Sequence, residues 1–287
     1  MLCNWCCSKD LCDEFNIMYK DGNFNNWDDI ELVYINNDED IDYYVIINMP
    51  PKNEYYNPKK TIIFQMEPWV YDVNKNWGVK TWEEWANPNP NNFMKVIQHK
   101  DQLNNVQWQV SPPLHISESE KMNKVICILS KKLFDEGHCK RVDFLKYIEQ
   151  TNLEIDNIHV YGRENYHDIK SYIGVTNNKI EFSKYKYVFS CENNSEKNYA
   201  TEKIWEPILF ECLCFYWGCP NLEEYIDSQA FVRLPLDNFE ESLSIINRAI
   251  EEDWWSQRID IIKKEKQKIL NELGFFPRLK KIINDNN

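Results

Sequence analysis

The sequence predicts an α/β protein built on parallel sheets, and two observations support this fold class. Short apolar runs of strand length alternate along the chain with segments whose apolar residues recur at helical spacing. Such alternation is typical of βαβ units, in which crossover helices cover the faces of a parallel sheet. The chain has 287 residues, 43% of them hydrophobic, and can therefore bury one large core or two ordinary ones.

The first part of the chain contains four candidate strands. A strand is predicted at LCNW, a helix then runs to about Tyr19, and further strands are predicted at ELVYI, YYVIINM and TIIFQM. A stretch rich in Trp, Asn and Pro extends from Glu67 to about Pro90, and NNVQWQVSPP closes this part at Pro113. The polar segment HISESEKMN predicts a boundary that assigns residues 1–120 to one domain.

The second part of the chain, residues 121–287, follows the same plan. Strands are predicted at KVICILS, IHVYG, YKYVFSC, LCFYWG and AFVRL, and a helix is predicted at KRVDFLKYIEQ. Further helices are predicted from Glu202 to about Glu211, at 240–252 and at 254–272. The amphipathic terminal segment favours a surface helix that docks on the fold and could pack back on the first domain. A weak peripheral contact with a membrane is the alternative.

Charge and hydropathy exclude several classes of protein. The formal net charge is −13, with 46 acidic against 33 basic residues, whereas a nucleic-acid-binding protein needs a basic surface. No apolar run approaches the roughly 18 residues of a membrane span, and the first residues do not resemble a signal peptide. We therefore expect a folded cytoplasmic protein without a membrane anchor and without a nucleic-acid partner.

The cysteines do not predict a metal site. Because no secretory signal precedes them, the 10 cysteines are expected to be free thiols. Cys3, Cys6, Cys7 and Cys12 lie close together, but no second pair follows at the spacing of a zinc site. We therefore expect no metal.

The segment YVFSCENNSEKNYATEK lies where α/β sheets bind ligands, because it joins the carboxyl end of a predicted strand to the next helix. Thr201 is a suitable N-cap, so the free N–H groups of the first turn and the Lys203 ammonium would share one small volume. This arrangement favours a bound phosphate, and Glu202 could accept hydrogen bonds from ribose hydroxyls. A solvated pair of neighbouring charges is the alternative that local rules favour.

The same segment resembles a known enzyme family. CENNSEKNYATEKIWE, followed by CFYWGCPNLEEYID, is similar to the signature of glycosyltransferase family 10, the α1,3/1,4-fucosyltransferases. The spacing from Glu192 to Glu202 matches that signature without a gap. The resemblance implies that the pocket for the nucleotide-sugar donor is lined by Glu192, Asn193, Tyr199, Glu202 and Lys203.

Two upstream segments extend the resemblance. IHVYGR is similar to the family's strand ending in V-(F/Y)-G-R, whose Arg holds the donor pyrophosphate, which implies that role for Arg163. A guanidinium suits the role because it grips two phosphate oxygens in a fork and keeps its charge. ICILSKKLFDEGHCKRVDFL resembles the family's first donor-domain strand and loop, which implies further donor contacts at Ser130 and Arg141.

Residues 1–120, the expected acceptor domain, resemble the family less closely than the second part of the chain does. TIIFQMEPW is similar to the short strand and Glu-Pro turn that carry the family's catalytic carboxylate, which implies that Glu67 is the catalytic base. An exposed Glu at a strand end is the alternative. Trp69 and Tyr71 offer flat faces for an acceptor sugar, although most aromatic residues of this stretch are expected to serve packing.

Several residues depart from the family's pattern. Asn194 stands where the family has Ser or Thr, Asn198 where it has Asp or Gly, and Ala200 where it has Val or Ile. These differences leave the selectivity for the sugar and for the nucleobase of the donor open. Pro207 falls inside the predicted helix and is expected to kink it. DED at residues 38–40 fits the Asp-x-Asp pattern of metal-dependent glycosyltransferases, but its place in an acidic loop favours a solvated turn.

The resemblance implies the GT-B fold, in which two Rossmann-like domains face one another across the active-site cleft. It implies a glycosyltransferase that needs no metal or other cofactor and moves fucose from GDP-fucose to a glycan hydroxyl with inversion. Two alternatives stay open: the same scaffold with another 6-deoxy or N-acetylated sugar on UDP or another nucleotide, and a glycan-binding protein without activity. Relatives without a membrane stem occur in bacteria and large DNA viruses, so the expected location is the cytoplasm, that of a host cell for a viral protein.

Overall fold

The computed structural model describes residues 33, 41–51, 55–68, 82–104, 106, 116–118, 121–151, 157–176 and 179–286. The chain divides into two compact units. Unit 1 comprises Met1–Val106, Glu196–Tyr199 and Leu270–Asn287, and unit 2 comprises Gln107–Ser195 and Ala200–Ile269. The assignment of an acceptor domain to residues 1–120 and a donor domain to residues 121–287 stays a prediction. The predicted strand LCNW, the helix after it, most of ELVYI, the first four cysteines and DED lie outside the described residues.

Unit 1 contains a three-stranded parallel sheet in the order β1-β2-β3. The strands are β1 (Tyr44–Ile47), β2 (Thr61–Gln65) and β3 (Lys95–Gln98). All five residues of the central strand β2 are buried, as expected for a parallel strand covered on both faces. The predictions at YYVIINM and TIIFQM are confirmed, whereas β3 was not predicted. Short 3₁₀ turns lie at Pro58–Lys60, Glu83–Ala86 and Pro90–Asn92.

Unit 2 contains a six-stranded parallel sheet in the order β6-β5-β4-β7-β8-β9. The five predicted strands are present, and the edge strand β6, which was not predicted, completes the sheet. The strands are β4 (Met122–Leu129), β5 (Ile158–Gly162), β6 (Tyr172–Val175), β7 (Tyr185–Cys191), β8 (Leu213–Trp217) and β9 (Phe231–Arg233).

Four α-helices lie in the described part of unit 2. Helix α1 packs near β7 through Phe144, whose ring meets the Phe189 ring edge-on at a centroid distance of 5.3 Å. The helices are α1 (Glu136–Gln150), α2 (Glu202–Leu209), α3 (Phe239–Glu251) and α4 (Trp254–Lys268), with 3₁₀ turns at Lys179–Lys184, Leu222–Glu224 and Ser228–Ala230.

The last helix, α5 (Phe275–Asp285), belongs to unit 1 and follows a π-helical turn at Ile269–Leu273. Its apolar face is used within that unit. The rings of Phe275 and Phe64 lie 4.6 Å apart between centroids, and the Phe275 N–H donates to the Val106 carbonyl at 2.8 Å. Phe276 and Leu279 are also buried. No helix among the described residues is long and apolar enough to cross a membrane.

Candidate functional site

The turn from β7 to α2 lies at the carboxyl edge of the parallel sheet in unit 2, where ligands of α/β folds bind. Thr201 is the N-cap of α2, as predicted, and its hydroxyl accepts hydrogen bonds from the Lys203 backbone N–H at 3.4 Å and from Lys203 Nζ at 3.1 Å. One hydroxyl therefore fixes both the start of the helix and the position of the ammonium group.

Glu192 lies beneath this helix start and is fully buried. Its carboxylate accepts from the Thr201 N–H at 2.8 Å, the Thr201 hydroxyl at 2.7 Å and the Tyr216 hydroxyl at 3.2 Å. Lys203 Nζ lies 3.6 Å from Glu192 Oε2. Burial raises the pKa of Glu192, and the Lys203 ammonium opposes that effect. A fully buried Glu192 has no surface to offer a ligand, so its effect on the site passes through Thr201 and Lys203.

Glu202 and Lys203 form an ion pair rather than two solvated charges, because Lys203 Nζ lies 3.0 Å from Glu202 Oε1 and the side chains are only 20% and 17% exposed. Burial by itself would raise the pKa of Glu202, but Lys203 and Lys179 together lower that pKa well below its usual range. Burial would lower the pKa of Lys203, but Glu202 and Glu192 raise it above its ordinary value. Both groups are therefore charged at neutral pH.

The first turn of α1 packs against the loop that follows β7. The Gly137 N–H donates to the Asn193 carbonyl at 3.0 Å, and a Cβ atom at Gly137 would overlap the backbone oxygen of Glu192. Gly218 plays a similar part after β8, because its φ of 153° suits glycine and a Cβ there would overlap the Glu192 side chain. Sequence reasoning missed both roles, although a chain with only 7 glycines makes each of them a candidate for such a contact.

Arg141 and Ser130 lie together within unit 2. Arg141 Nη2 donates to Ser130 Oγ at 3.2 Å, and Arg141 is buried, with only 8% of the residue exposed. Its Nε is buried and has no hydrogen-bond partner among the residues that the structure describes. A buried guanidinium with an unsatisfied N–H group can still donate a hydrogen bond to an anionic ligand.

Arg163 follows β5 at the same edge of the sheet and is exposed. Within the described part of the chain it forms no ion pair, so its charge is available to a ligand. Gly162 brings this strand end close to β4, because a Cβ there would lie 2.7 Å from the Leu129 carbonyl oxygen.

Asn198 and Tyr199 belong to unit 1, although they are part of the predicted donor motif CENNSEKNYATEK, most of which lies in unit 2. Tyr199 is 2% exposed, and its ring meets the His99 ring at a centroid distance of 6.3 Å. Asn198 adopts a positive φ of 60° and donates to the His99 carbonyl at 2.7 Å. A left-handed backbone explains why Asn is accommodated where the family has Asp or Gly.

Glu67, the predicted base, lies just past the carboxyl end of β2 and is partly buried. Its backbone N–H donates to Gln65 Oε1 at 3.0 Å. Gln65 is itself held by the Asn48 and Trp85 carbonyls, and the Asn104 side chain donates to the Gln65 carbonyl at 2.7 Å. Buried amides thus fix the backbone that carries the carboxylate. Trp69 and Tyr71 lie outside the described residues.

Pro207 lies inside α2, as the sequence predicted, and it cannot donate to the Lys203 carbonyl one turn earlier. The Cys214 thiol approaches that carbonyl at 3.9 Å and takes the place of the missing donor. The helix ends two residues later, at Leu209. The first turn, where Thr201, Glu202 and Lys203 lie, precedes the proline, and the expected kink stays a prediction.

The described part of the chain contains several residues of the types that bind metals. No group of three or more His, Cys, Asp or Glu side chains there is arranged to hold a metal ion. The described cysteines are free thiols, as expected: Cys127, Cys139, Cys191, Cys212, Cys214 and Cys219.

Parts of this chain are similar in sequence to known proteins. Residues 118–249 match the family model described as glycosyltransferase family 10 (fucosyltransferase) C-term. A segment of 44 residues, 15% of this chain, is 36% identical to GDP-fucose protein O-fucosyltransferase 3 of Xenopus laevis. That match spans 9% of the relative's length.

Two solved structures share the fold. An α1,3-fucosyltransferase with GDP aligns with a TM-score of 0.50 and 15% identity, over 94% of this chain and 90% of that one. TarM aligns with a TM-score of 0.53 and 13% identity, over 84% of this chain and 54% of its own. The resemblance to family 10 is thus confirmed for residues 118–249, and the α/β fold of GT-B type is confirmed.

Proposed function

We propose that this chain transfers fucose from GDP-fucose to a glycan hydroxyl, with inversion and without a metal. The observation that carries the proposal is the charged cluster at the first turn of α2, where Lys203 lies between Thr201, Glu192 and Glu202. An ammonium group held at the N-terminus of a helix favours the diphosphate of a nucleotide sugar. The family description and the relative's name, both of which refer to fucosyl transfer, support fucose and GDP as the donor components.

In the proposed reaction, the negative charge that develops on the leaving diphosphate is stabilised by Lys203, Arg163 and the N-terminus of α2. Arg141, through its unsatisfied Nε, adds a further donor from α1. Fixed positive groups lower the barrier because they need no reorganisation when the glycosidic bond to the phosphate oxygen breaks. Glu202 accepts hydrogen bonds from the ribose hydroxyls, and its ionised state suits that role.

Glu67 acts as the general base of the proposed reaction. The acceptor hydroxyl attacks the anomeric carbon on the face opposite the diphosphate, its proton passes to the Glu67 carboxylate, and GDP leaves with the bonding electron pair. One displacement inverts the configuration. Trp69 and Tyr71 stay candidate contacts for the acceptor sugar, and the cytoplasm stays the proposed location.

The first test is a thermal-shift titration of the full chain with GDP, UDP and ADP. A ligand that binds only the folded state raises its stability by RT ln(1 + [L]/Kd), so at 100 times Kd the gain is about 2.7 kcal/mol. Selective stabilisation by GDP supports the proposal, and release of fucose from GDP-fucose, with transfer to glycan acceptors, is then measured. Selective stabilisation by UDP overturns the donor assignment, and no shift with any nucleotide favours a glycan-binding protein.

A further inference from the structure

Lys179 connects a separate segment of unit 2 to the charged cluster. It begins the 3₁₀ turn Lys179–Lys184, 23 positions before Glu202 in the sequence. Its ammonium group is in close contact with Glu206 Oε2 and lies 3.8 Å from Glu202 Oε1. The Lys179 side chain is 21% exposed, whereas Glu206 is fully buried. Nothing in the sequence motif indicates this lysine, because its contacts are with residues far along the chain.

Glu202 and Glu206 are four positions apart on α2, so their carboxylates lie on one face of the helix and repel each other. Lys179 contacts both and neutralises this repulsion. Glu202 has a second cation, Lys203, at 3.0 Å from the same Oε1 atom. Two ammonium groups therefore determine the position and charge of one carboxylate.

The two cations differ in what a bound diphosphate would do to them. Lys203 also contacts Thr201 and Glu192 at the first turn of α2, where phosphate oxygens would compete for its N–H groups. Lys179 forms an ion pair with buried Glu206, so a bound diphosphate would leave it beside the helix. We propose that Lys179 is a positioning residue that holds Glu202 ionised and oriented for the ribose hydroxyls while Lys203 engages the diphosphate. This inference rests on the proposed nucleotide-sugar site.

The test compares ribose with deoxyribose, because that ratio does not respond to a general loss of stability. Titration calorimetry measures Kd for GDP and for 2′-deoxy-GDP on the full chain. A hydrogen bond to a charged acceptor makes wild type prefer GDP by about tenfold. Because Lys179→Met alone would remove the cation that contacts buried Glu206, the test variant is Lys179→Met with Glu206→Gln. Lys184→Met is the matched control, since Lys184 lies in the same turn and pairs with Glu181 on the surface at 2.9 Å.

We expect the double variant to bind both nucleotides within about twofold of each other, while Lys184→Met and Lys179→Arg keep the wild-type preference. A double variant that keeps the preference overturns the role of Lys179, as does a wild type without preference. If wild type binds UDP instead of GDP, the same ratio is measured with UDP and 2′-deoxy-UDP, which separates this inference from the choice of base. A wild type that binds no nucleotide overturns both the inference and the proposed function.

Discussion

The two units hold their candidate carboxylates by different means. In unit 2, Glu192 and Glu202 are fixed by ionic contacts, with Lys203 Nζ within 3.6 Å of one and 3.0 Å of the other. In unit 1, the strand end before Glu67 is fixed by amides, through Gln65 and Asn104. The ionic contacts join residues of one short segment, 192–203. The amide contacts join Asn48, Gln65, Trp85 and Asn104, which are spread over more than half of Met1–Val106.

This difference matches the two tasks that the units are proposed to perform. A nucleotide diphosphate is highly charged, so preorganised cations recognise it strongly and do so with little help from the rest of the fold. A general base needs a defined position and a pKa suited to proton transfer, which neutral surroundings provide better than an adjacent ammonium group. Binding and proton transfer should therefore be separable by mutation.

The largest effect should come from Glu67→Gln, which removes the proposed base but keeps the size of the side chain. We expect kcat for transfer to fall about 10²- to 10⁴-fold, with the Kd for GDP unchanged. Initial-rate kinetics and calorimetry on the same preparation measure both quantities. Glu84→Gln, an exposed position in unit 1, is the control. Unchanged turnover in Glu67→Gln would remove Glu67 from the mechanism.

Lys203→Met should break binding rather than proton transfer. We expect the affinity for GDP to fall about 10²-fold and the free energy of unfolding to fall by about 3–5 kcal/mol, because Glu192 loses its cation. The double variant Lys203→Met with Glu192→Gln should regain much of the stability but not the affinity. Wild-type affinity in the double variant would show that Lys203 serves only the fold.

Gly137→Ala tests how tightly α1 packs against the donor loop. Because the new Cβ would overlap the Glu192 backbone oxygen, we expect the free energy of unfolding to fall by about 1–3 kcal/mol. Gly174→Ala is the matched control, since among the described residues no heavy atom beyond its chain neighbours lies within 4 Å of a Cβ there, and it should be neutral or slightly stabilising. Urea unfolding of both variants measures the difference, and equal stabilities would contradict the close packing.

The smallest effect should be that of alkaline pH on nucleotide affinity. The pKa of Lys203 is raised above its ordinary value of 10.5, so its charge is complete below that value and is lost only as pH rises through the higher folded-state pKa. Between about pH 7 and pH 9 we therefore expect the Kd for GDP to change less than about twofold. A steady loss of affinity over this range would mean that the ammonium group is not stabilised as the ion pairs indicate.

The elements that sequence reasoning missed share a physical cause. The strand β3 (Lys95–Gln98) contains only two apolar residues, Val96 and Ile97, inside a polar stretch, and β6 is an edge strand with alternating exposure. Neither has an apolar run long enough to be distinguished from a loop. The helix predicted at 254–272 joined α4 with the π-helical turn that follows it, because that turn continues the same periodicity. By contrast, the central strands were predicted because both of their faces are buried.

The sequence by itself determined the alternating α/β pattern, the turn at Thr201–Lys203 and the resemblance to family 10, because these depend on neighbouring residues. Only the tertiary structure decided that Glu192 is buried under the helix start, that Gly137 must lack a side chain, and that Lys179 joins two carboxylates of α2. The physical reason is that burial and counter-charge depend on which distant segments the fold brings together, and such contacts leave no local pattern in the sequence.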